Sequence, residues 1–157
     1  MRDAVIREAT EADLDEMLSL WRALEQIQGE HRLFPMVDDA ESRIAGLFRE
    51  AIADPDSSAL VIEGSEGLLG MAIARLTEQG HHSMSNARVV ELSRVVIKEE
   101  GRGLGLGGNL IDAAAAFAKE RGAAFVTAKL FSGNTEGRVF WERMGFIPRY
   151  EERIKPV

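Results

Sequence analysis

Val95-Val96-Ile97-Lys98-Glu99-Glu100-Gly101-Arg102-Gly103-Leu104-Gly105-Leu106-Gly107-Gly108 carries the chain from an apolar, strand-like run into a helix through five glycines in eight residues. Inside a regular element each glycine forfeits roughly 0.5–1 kcal/mol, so a turn this rich in them needs a reason beyond connection. One reason is tight packing of a strand against a helix. The other is close approach of a bulky anion. Without Cβ atoms the backbone comes near it, and the unpaired N–H groups of the first helical turn point at it together with the positive end of the helix dipole. Arg102 adds a forked cation at the mouth. Two phosphate motifs fit this turn badly. Gly103-Leu104-Gly105-Leu106-Gly107-Gly108 meets the loose dinucleotide pattern, but the next strand offers Lys129 and no acidic residue for a ribose. The 49 residues after Gly108 are also too few for a doubly wound sheet. The nucleotide-triphosphate loop needs Gly-Lys-Ser/Thr where this chain has Gly108-Asn109-Leu110.

On the N-terminal side of the turn, Val89 to Ile97 reads as its strand, and residues 78–88, with Gln79-Gly80-His81-His82-Ser83, read as a polar, flexible loop. Before the loop, Ala59 to Ile62 and Leu68 to Leu76 are strand-like and joined by Gly64-Ser65-Glu66-Gly67, which suits a tight antiparallel hairpin. Residues 4–8 alternate like a short strand. Thr10 and Asp13 then stand at capping-box spacing before Leu14, Met17, Leu18, Trp21, Leu24 and Ile27, which recur along one helical face. A second helix starting near Asp38 shows Ile44, Leu47, Phe48 and Ile52 as its stripe. On the C-terminal side of the turn, Gly105 to Arg121 keeps helical spacing and Gly122 is placed to stop it. Phe125 to Phe131 reads as a buried strand, Thr135 to Met144 as a helix, and Ile147 to Ile154 as a final strand. The order β α α β β β α β α β combines hairpins with a strand–helix–strand crossover, which predicts an α/β (α+β) domain with a mixed sheet flanked by helices.

The 157 residues suit one domain, spanning 1–157, with no repeat or linker. A composition of 45% hydrophobic and 29% charged residues argues against disorder and membrane spanning. With no cysteine there is no disulfide, thiolate nucleophile or Cys-ligated metal, and a reducing cytoplasm is compatible. The opening from Met1 to Glu8 shows no signal peptide. Nineteen basic and twenty-six acidic residues give a net charge of −7 and no basic patch stands out, so neither nucleic acid nor a membrane surface is an expected partner. The acidic surplus favours a cationic ligand but serves solubility equally well. The three histidines, His31, His81 and His82, lack the spacing of a ligand set, and no metal is expected.

Arg102-Gly103-Leu104-Gly105-Leu106-Gly107 resembles the Arg/Gln-x-x-Gly-x-Gly/Ala signature of the GCN5-related N-acetyltransferase (GNAT) family, with Leu110-Ile111-Asp112 falling where such helices carry their first apolar pair. Asn134-Thr135-Glu136-Gly137-Arg138-Val139-Phe140-Trp141-Glu142-Arg143-Met144-Gly145-Phe146 is similar to the family's late segment, and Ile6 to Leu14 to its first strand and helix. The resemblance implies a mostly antiparallel sheet in which two parallel strands, the fourth and fifth, splay apart around acetyl-coenzyme A as co-substrate. Main-chain groups of Val95, Val96 and Ile97 would then meet the pantetheine arm. Backbone N–H groups from Arg102 through Gly103, Leu104, Gly105, Leu106, Gly107 and Gly108 would hold the pyrophosphate, with Asn134 beside the pantetheine or serving only as a helix cap.

The reaction so implied is direct attack of a primary amine on the thioester. An alkyl ammonium with a pKa near 10 must first lose its proton, and Glu91, on the splaying strand, is the candidate base. A solvated strand carboxylate is the plainer reading of the same residue. Trp141 stands where the family usually has a tyrosine acid; its indole N–H donates a hydrogen bond but supplies no proton near neutral pH, and a contact to the coenzyme and a plain core aromatic are the other readings. Tyr150 is the only tyrosine and so the only substitute acid. His31, Phe34, Pro35, His81 and His82 suit acceptor-binding loops by position. The resemblance implies a small-molecule amine acceptor ahead of a protein lysine or N-terminus, is compatible with a homodimer, and leaves a catalytically inactive coenzyme A sensor as the rival reading.

Overall fold

The computed structural model describes residues 3–157; Met1 and Arg2, at the head of the alternating opening, lie outside them. Five strands and four α-helices follow in the order β1 (Val5–Glu8), α1 (Leu14–Gln28), α2 (Ala40–Ala53), β2 (Ser57–Gly64), β3 (Gly67–His81), β4 (Met84–Ile97), α3 (Leu106–Glu120), β5 (Phe125–Ala128) and α4 (Thr135–Arg143). The strands form a single sheet in the order β1-β2-β3-β4-β5. The first three pairings are antiparallel and β4 with β5 is parallel, because α3 returns the chain to the end at which β4 began. The mixed, mostly antiparallel sheet expected from the sequence is therefore present.

Alternation along β2 and β3 sends their side chains to opposite faces. Ala59, Val61, Met71 and Ile73 meet Leu14, Met17, Trp21 and Phe48 from α1 and α2. Leu60, Ile62, Ala72 and Ala74 meet Leu106, Leu110, Ala114 and Phe117 from α3. At the N-terminus the capping pair forms as read: Thr10 N–H donates to Asp13 Oδ2 at 2.7 Å, although the first turn, Glu11–Asp13, is a 3₁₀ turn leading into α1. Asp13 is 7% exposed and accepts a two-pronged contact from Arg7, at 2.8 and 2.9 Å, which holds its carboxyl down at about 2. A carboxyl depressed in the folded state stabilises above its unfolded pKa and loses that contribution as pH falls through the folded value. Asp13→Asn is therefore expected to cost about 2 kcal/mol at pH 7, with the gap from wild type closing between about pH 4 and pH 2. Urea unfolding of both proteins at pH 7 and pH 3 checks this; an equal gap at both values would contradict it.

Three expectations need correction. Residues 78–88 are not a loop: β3 and β4 run on as a hairpin to His81 and Met84, with Glu78 opposite Arg88 and Gln79 opposite Ala87. This stretch lies beyond both helical layers, so its side chains are polar on both faces and show no apolar alternation. The final strand expected over 147–154 is absent: residues 147–157 have no regular structure and are exposed, with Ile147 at 86% and Tyr150 at 72%. Pro148 and Pro156 remove donors from that run. The fifth strand stops at Ala128, short of Phe131. On the helical stripes, Ile27 and Leu47 are each 47% exposed, unlike their neighbours Leu24 and Phe48. Among the described residues no helix is long and apolar enough to cross a membrane.

Candidate functional site

The parallel pairing of β4 with β5 covers only Val89 to Leu92 opposite Phe125 to Ala128. Beyond Leu92, β4 continues for five residues paired with β3 alone. The two parallel strands thus part halfway along. β4 also bends there. Ser93 lies opposite Ile73 and Val96 opposite Met71, so Arg94 and Val95 together face the single residue Ala72. This is a β-bulge, with Arg94 in the left-handed region at φ 50°. Gly70 lets the bent strand press close, since a Cβ there would stand 2.7 Å from the Val96 carbonyl oxygen. Lys98 N–H bonds to Leu69 on β3, so by alternation the main-chain groups of Ile97 point into the split. Its carbonyl accepts from Arg102 Nε at 3.1 Å.

The glycine turn leads from this point into α3. A 3₁₀ turn at Glu99–Gly101 is self-bonded, with Gly101 N–H on the Lys98 carbonyl and Arg102 N–H on that of Glu99. After it the bonding weakens. Arg102 to Gly105 pass through turns held by weak main-chain contacts only, and from Gly103 to Gly108 none of six consecutive N–H groups makes a well-formed main-chain hydrogen bond among the described residues; the first that does is Asn109, on Gly105. Gly103 and Gly105 have φ of 76° and 75°, and a Cβ on either would meet nothing within 4 Å, so these two serve conformation. Gly107 serves packing instead, because a Cβ there would fall 2.7 Å from the Phe140 ring and 3.2 Å from Ile97. The first turn of α3 carries no acidic side chain to oppose an anion. Gly107→Val is expected to lower stability by about 1–3 kcal/mol through overpacking against Phe140, read as a fall in thermal midpoint. An unchanged midpoint would mean that Phe140 swings aside without cost.

Of the side chains picked out from sequence, the structure brings some to the split and leaves others away from it. Glu91 is half-buried where β4 and β5 still pair, opposite Arg75 and Thr127, and no ion pair holds it among the described residues. Arg75 shares the sheet face of Ile73, so Glu91 faces the side of α1 and α2. His31, after α1, stacks on Phe131 just past β5 with ring centroids 5.5 Å apart, and so stands near the split. Phe34 is 81% exposed, and Pro35 is exposed beside it. His81 and His82 sit at the tip of the β3–β4 hairpin. At ~3.4 Å per residue that tip is about 24 Å from Glu91, too far to share a pocket. Asn134 caps α4, its Oδ1 accepting from Gly137 N–H at 2.9 Å while its amide N–H₂ remains for another partner. Trp141 is half-buried edge-on between Phe140 and Phe146, at 5.0 and 4.8 Å. Tyr150 lies in the exposed tail, with the Arg149 guanidinium 5.8 Å from its ring. Among the described residues no three acidic or histidine side chains cluster as metal ligands. Arg94 escaped the sequence reading; a lone arginine in the run Leu92-Ser93-Arg94-Val95-Val96 was the available signal.

The model of the acetyltransferase (GNAT) family matches residues 9–146. Among solved structures, a point mutant of the BH1408 protein from Bacillus halodurans superposes with a TM-score of 0.86 at 20% identity, covering 98% of this chain and 99% of that one. A predicted acetyltransferase with acetyl-coenzyme A from Clostridium acetobutylicum gives 0.78 at 16% identity over 98% and 96%. A transcriptional regulator from Bacillus halodurans C-125 gives 0.73 at 25% identity over 98% and 99%. No curated protein gives a significant sequence match.

Proposed function

Because the chain belongs to the GNAT acetyltransferase family, we propose that it moves an acetyl group from acetyl-coenzyme A to the primary amine of a small molecule, both bound together at the split between β4 and β5. The observation that carries this reading is the run of six N–H groups from Gly103 to Gly108 without a well-formed main-chain hydrogen bond, in the turn that follows bent β4. Such a run suits a diphosphate: its donors are left for a ligand, the helix dipole adds to them, and Arg102 supplies charge. Arg102 reaches back to Ile97 through Nε, which leaves its outer nitrogens for phosphate oxygens and takes up one carbonyl that a pantetheine arm would otherwise use. Val95 and Val96 line the bent part of β4 beyond the pairing with β5, and Asn134 has its amide N–H₂ to offer.

Acetyl-coenzyme A, when bound, supplies a thioester carbonyl activated toward amines. The rest falls to the chain. Glu91 takes the ammonium proton, either directly or through water. Bent β4 offers a main-chain N–H to the developing oxyanion. A departing thiol with pKa of about 8.5 leaves without a strong acid, so neither the half-buried Trp141 nor the remote Tyr150 is required.

Release of coenzyme A thiol from acetyl-coenzyme A, followed across a panel of small amines, tests the proposal. Turnover of at least one amine is expected. Tight binding with no release for any amine would favour an acyl-coenzyme A sensor, a reading supported by the packing of Trp141 among phenylalanines, where the family's usual acid is missing.

A further inference from the structure

Resting on the transferase reading, we infer that the acceptor amine carries an oxyanion, a carboxylate or a phosphate, and that Arg94 is the residue that selects it. Arg94 stands at the bulge where β4 leaves β5, half-buried and in the left-handed region at φ 50°. A non-glycine residue held there is strained, and such strain persists where a site depends on it.

Its charge is the stronger point. Among the described residues no carboxylate lies within ion-pair distance of Arg94, and no hydrogen bond holds its guanidinium. The charged groups that act on Arg94 through space are Glu25 near the end of α1 and Arg32 in the turn after it. Glu25 is already committed: both its oxygens accept from Arg32, at 3.1 and 2.5 Å. Arg32 thus takes up the carboxylate that would neutralise Arg94, and the Arg94 guanidinium is left without an ion-pair partner among the described residues. Burial of Arg94 shifts its pKa down from the ordinary arginine value, with Arg32 adding to that shift and Glu25 opposing it. A desolvated cation left unpaired is costly, and an oxyanion supplied by a ligand removes that cost.

The surroundings suit such a ligand. Arg32 lies over the Phe131 ring at 5.3 Å and His31 stacks on it, forming a wall at the end of β5. Glu91, three residues before Arg94 on the same strand, faces the α1 side from which Glu25 acts on Arg94. An acceptor lying between them presents its amine to Glu91 and its anionic group to Arg94.

Matched pairs of amines test this: L-phenylalanine against 2-phenylethylamine for the carboxylate, and O-phosphoethanolamine against ethanolamine for the phosphate. Each is read by thiol release and by the melting shift of the coenzyme A-loaded protein. In wild type the anionic member of at least one pair is expected to exceed its neutral partner by about 10- to 100-fold in kcat/KM. Arg94→Gln collapses that ratio through KM, Arg94→Lys restores part of it, and the melting point of unliganded R94Q is no lower than wild type. Equal response to both members of every pair, by both readouts, overturns the inference. So does a matching rise in the acetyl-coenzyme A dissociation constant of R94Q, which would place the guanidinium on the donor. If wild type binds no acetyl-coenzyme A at all, the transferase reading itself fails, and this inference with it.

Discussion

Gly105→Val is expected to raise the dissociation constant of acetyl-coenzyme A at least 100-fold in a protein that still folds. Gly105 caps α3 with φ 75°, a conformation that costs an ordinary L-residue about 1–2 kcal/mol and a β-branched one more. Nothing lies within 4 Å of where its Cβ would stand, so the side chain itself meets no clash. The turn relieves the strain by leaving the left-handed region, which turns the N–H groups on either side of it out of the directions that glycine allows. Each hydrogen bond to a charged phosphate contributes about 1.5–3 kcal/mol, so losing two accounts for the factor of 100 or more. Gly107→Val supplies the contrast, because there the added atoms meet Phe140 and stability suffers first. Calorimetric titration beside thermal melts separates the two effects. Unaltered affinity in the Gly105 variant would mean that this turn does not hold the diphosphate.

Glu91→Gln is expected to lower kcat by about 10²- to 10⁴-fold with the acetyl-coenzyme A dissociation constant little changed. The amide cannot accept the ammonium proton, so the variant depends on amine already neutral in solution. For an amine with a pKa near 10, the neutral fraction grows about tenfold per pH unit until that value. The rate of the variant should climb with it, moving the apparent optimum to higher pH than in wild type. Glu91 suits the role because it is half-buried beside the split and held by no ion pair among the described residues. A pH profile of the same shape in both proteins would remove it as the base.

The turn from Ile97 to Gly108 was the most legible part of the molecule, because glycine spacing reports backbone conformation directly. It did not reveal that the glycines divide their work, with Gly103 and Gly105 setting φ and Gly107 admitting Phe140 from a helix about thirty residues later in the chain. Packing partners of that kind are set by tertiary structure. The hairpin over 78–88 was misread because its stability comes from cross-strand pairing in a stretch that projects past the core, where no apolar alternation marks it. The tail over 147–154 erred the other way: Ile147, Tyr150 and Ile154 have strand-forming side chains, but among the described residues no strand pairs with them. In the candidate site, the place of Glu91 on β4 was readable from the sequence, and the stacking of His31 on Phe131, with His81 out at the hairpin tip, was not, since that depends on which loop folds back. Arg94 became notable only once the bulge and the commitment of Glu25 to Arg32 were visible.

Residue-resolved amide exchange of the ¹⁵N-labelled protein, with and without saturating acetyl-coenzyme A, addresses the diphosphate grip at its own atoms. The account predicts fast exchange from Gly103 to Gly108 in the free protein and strong slowing of that run once the thioester is bound. Equal exchange in both states, with binding heat measured in the same sample, would contradict it.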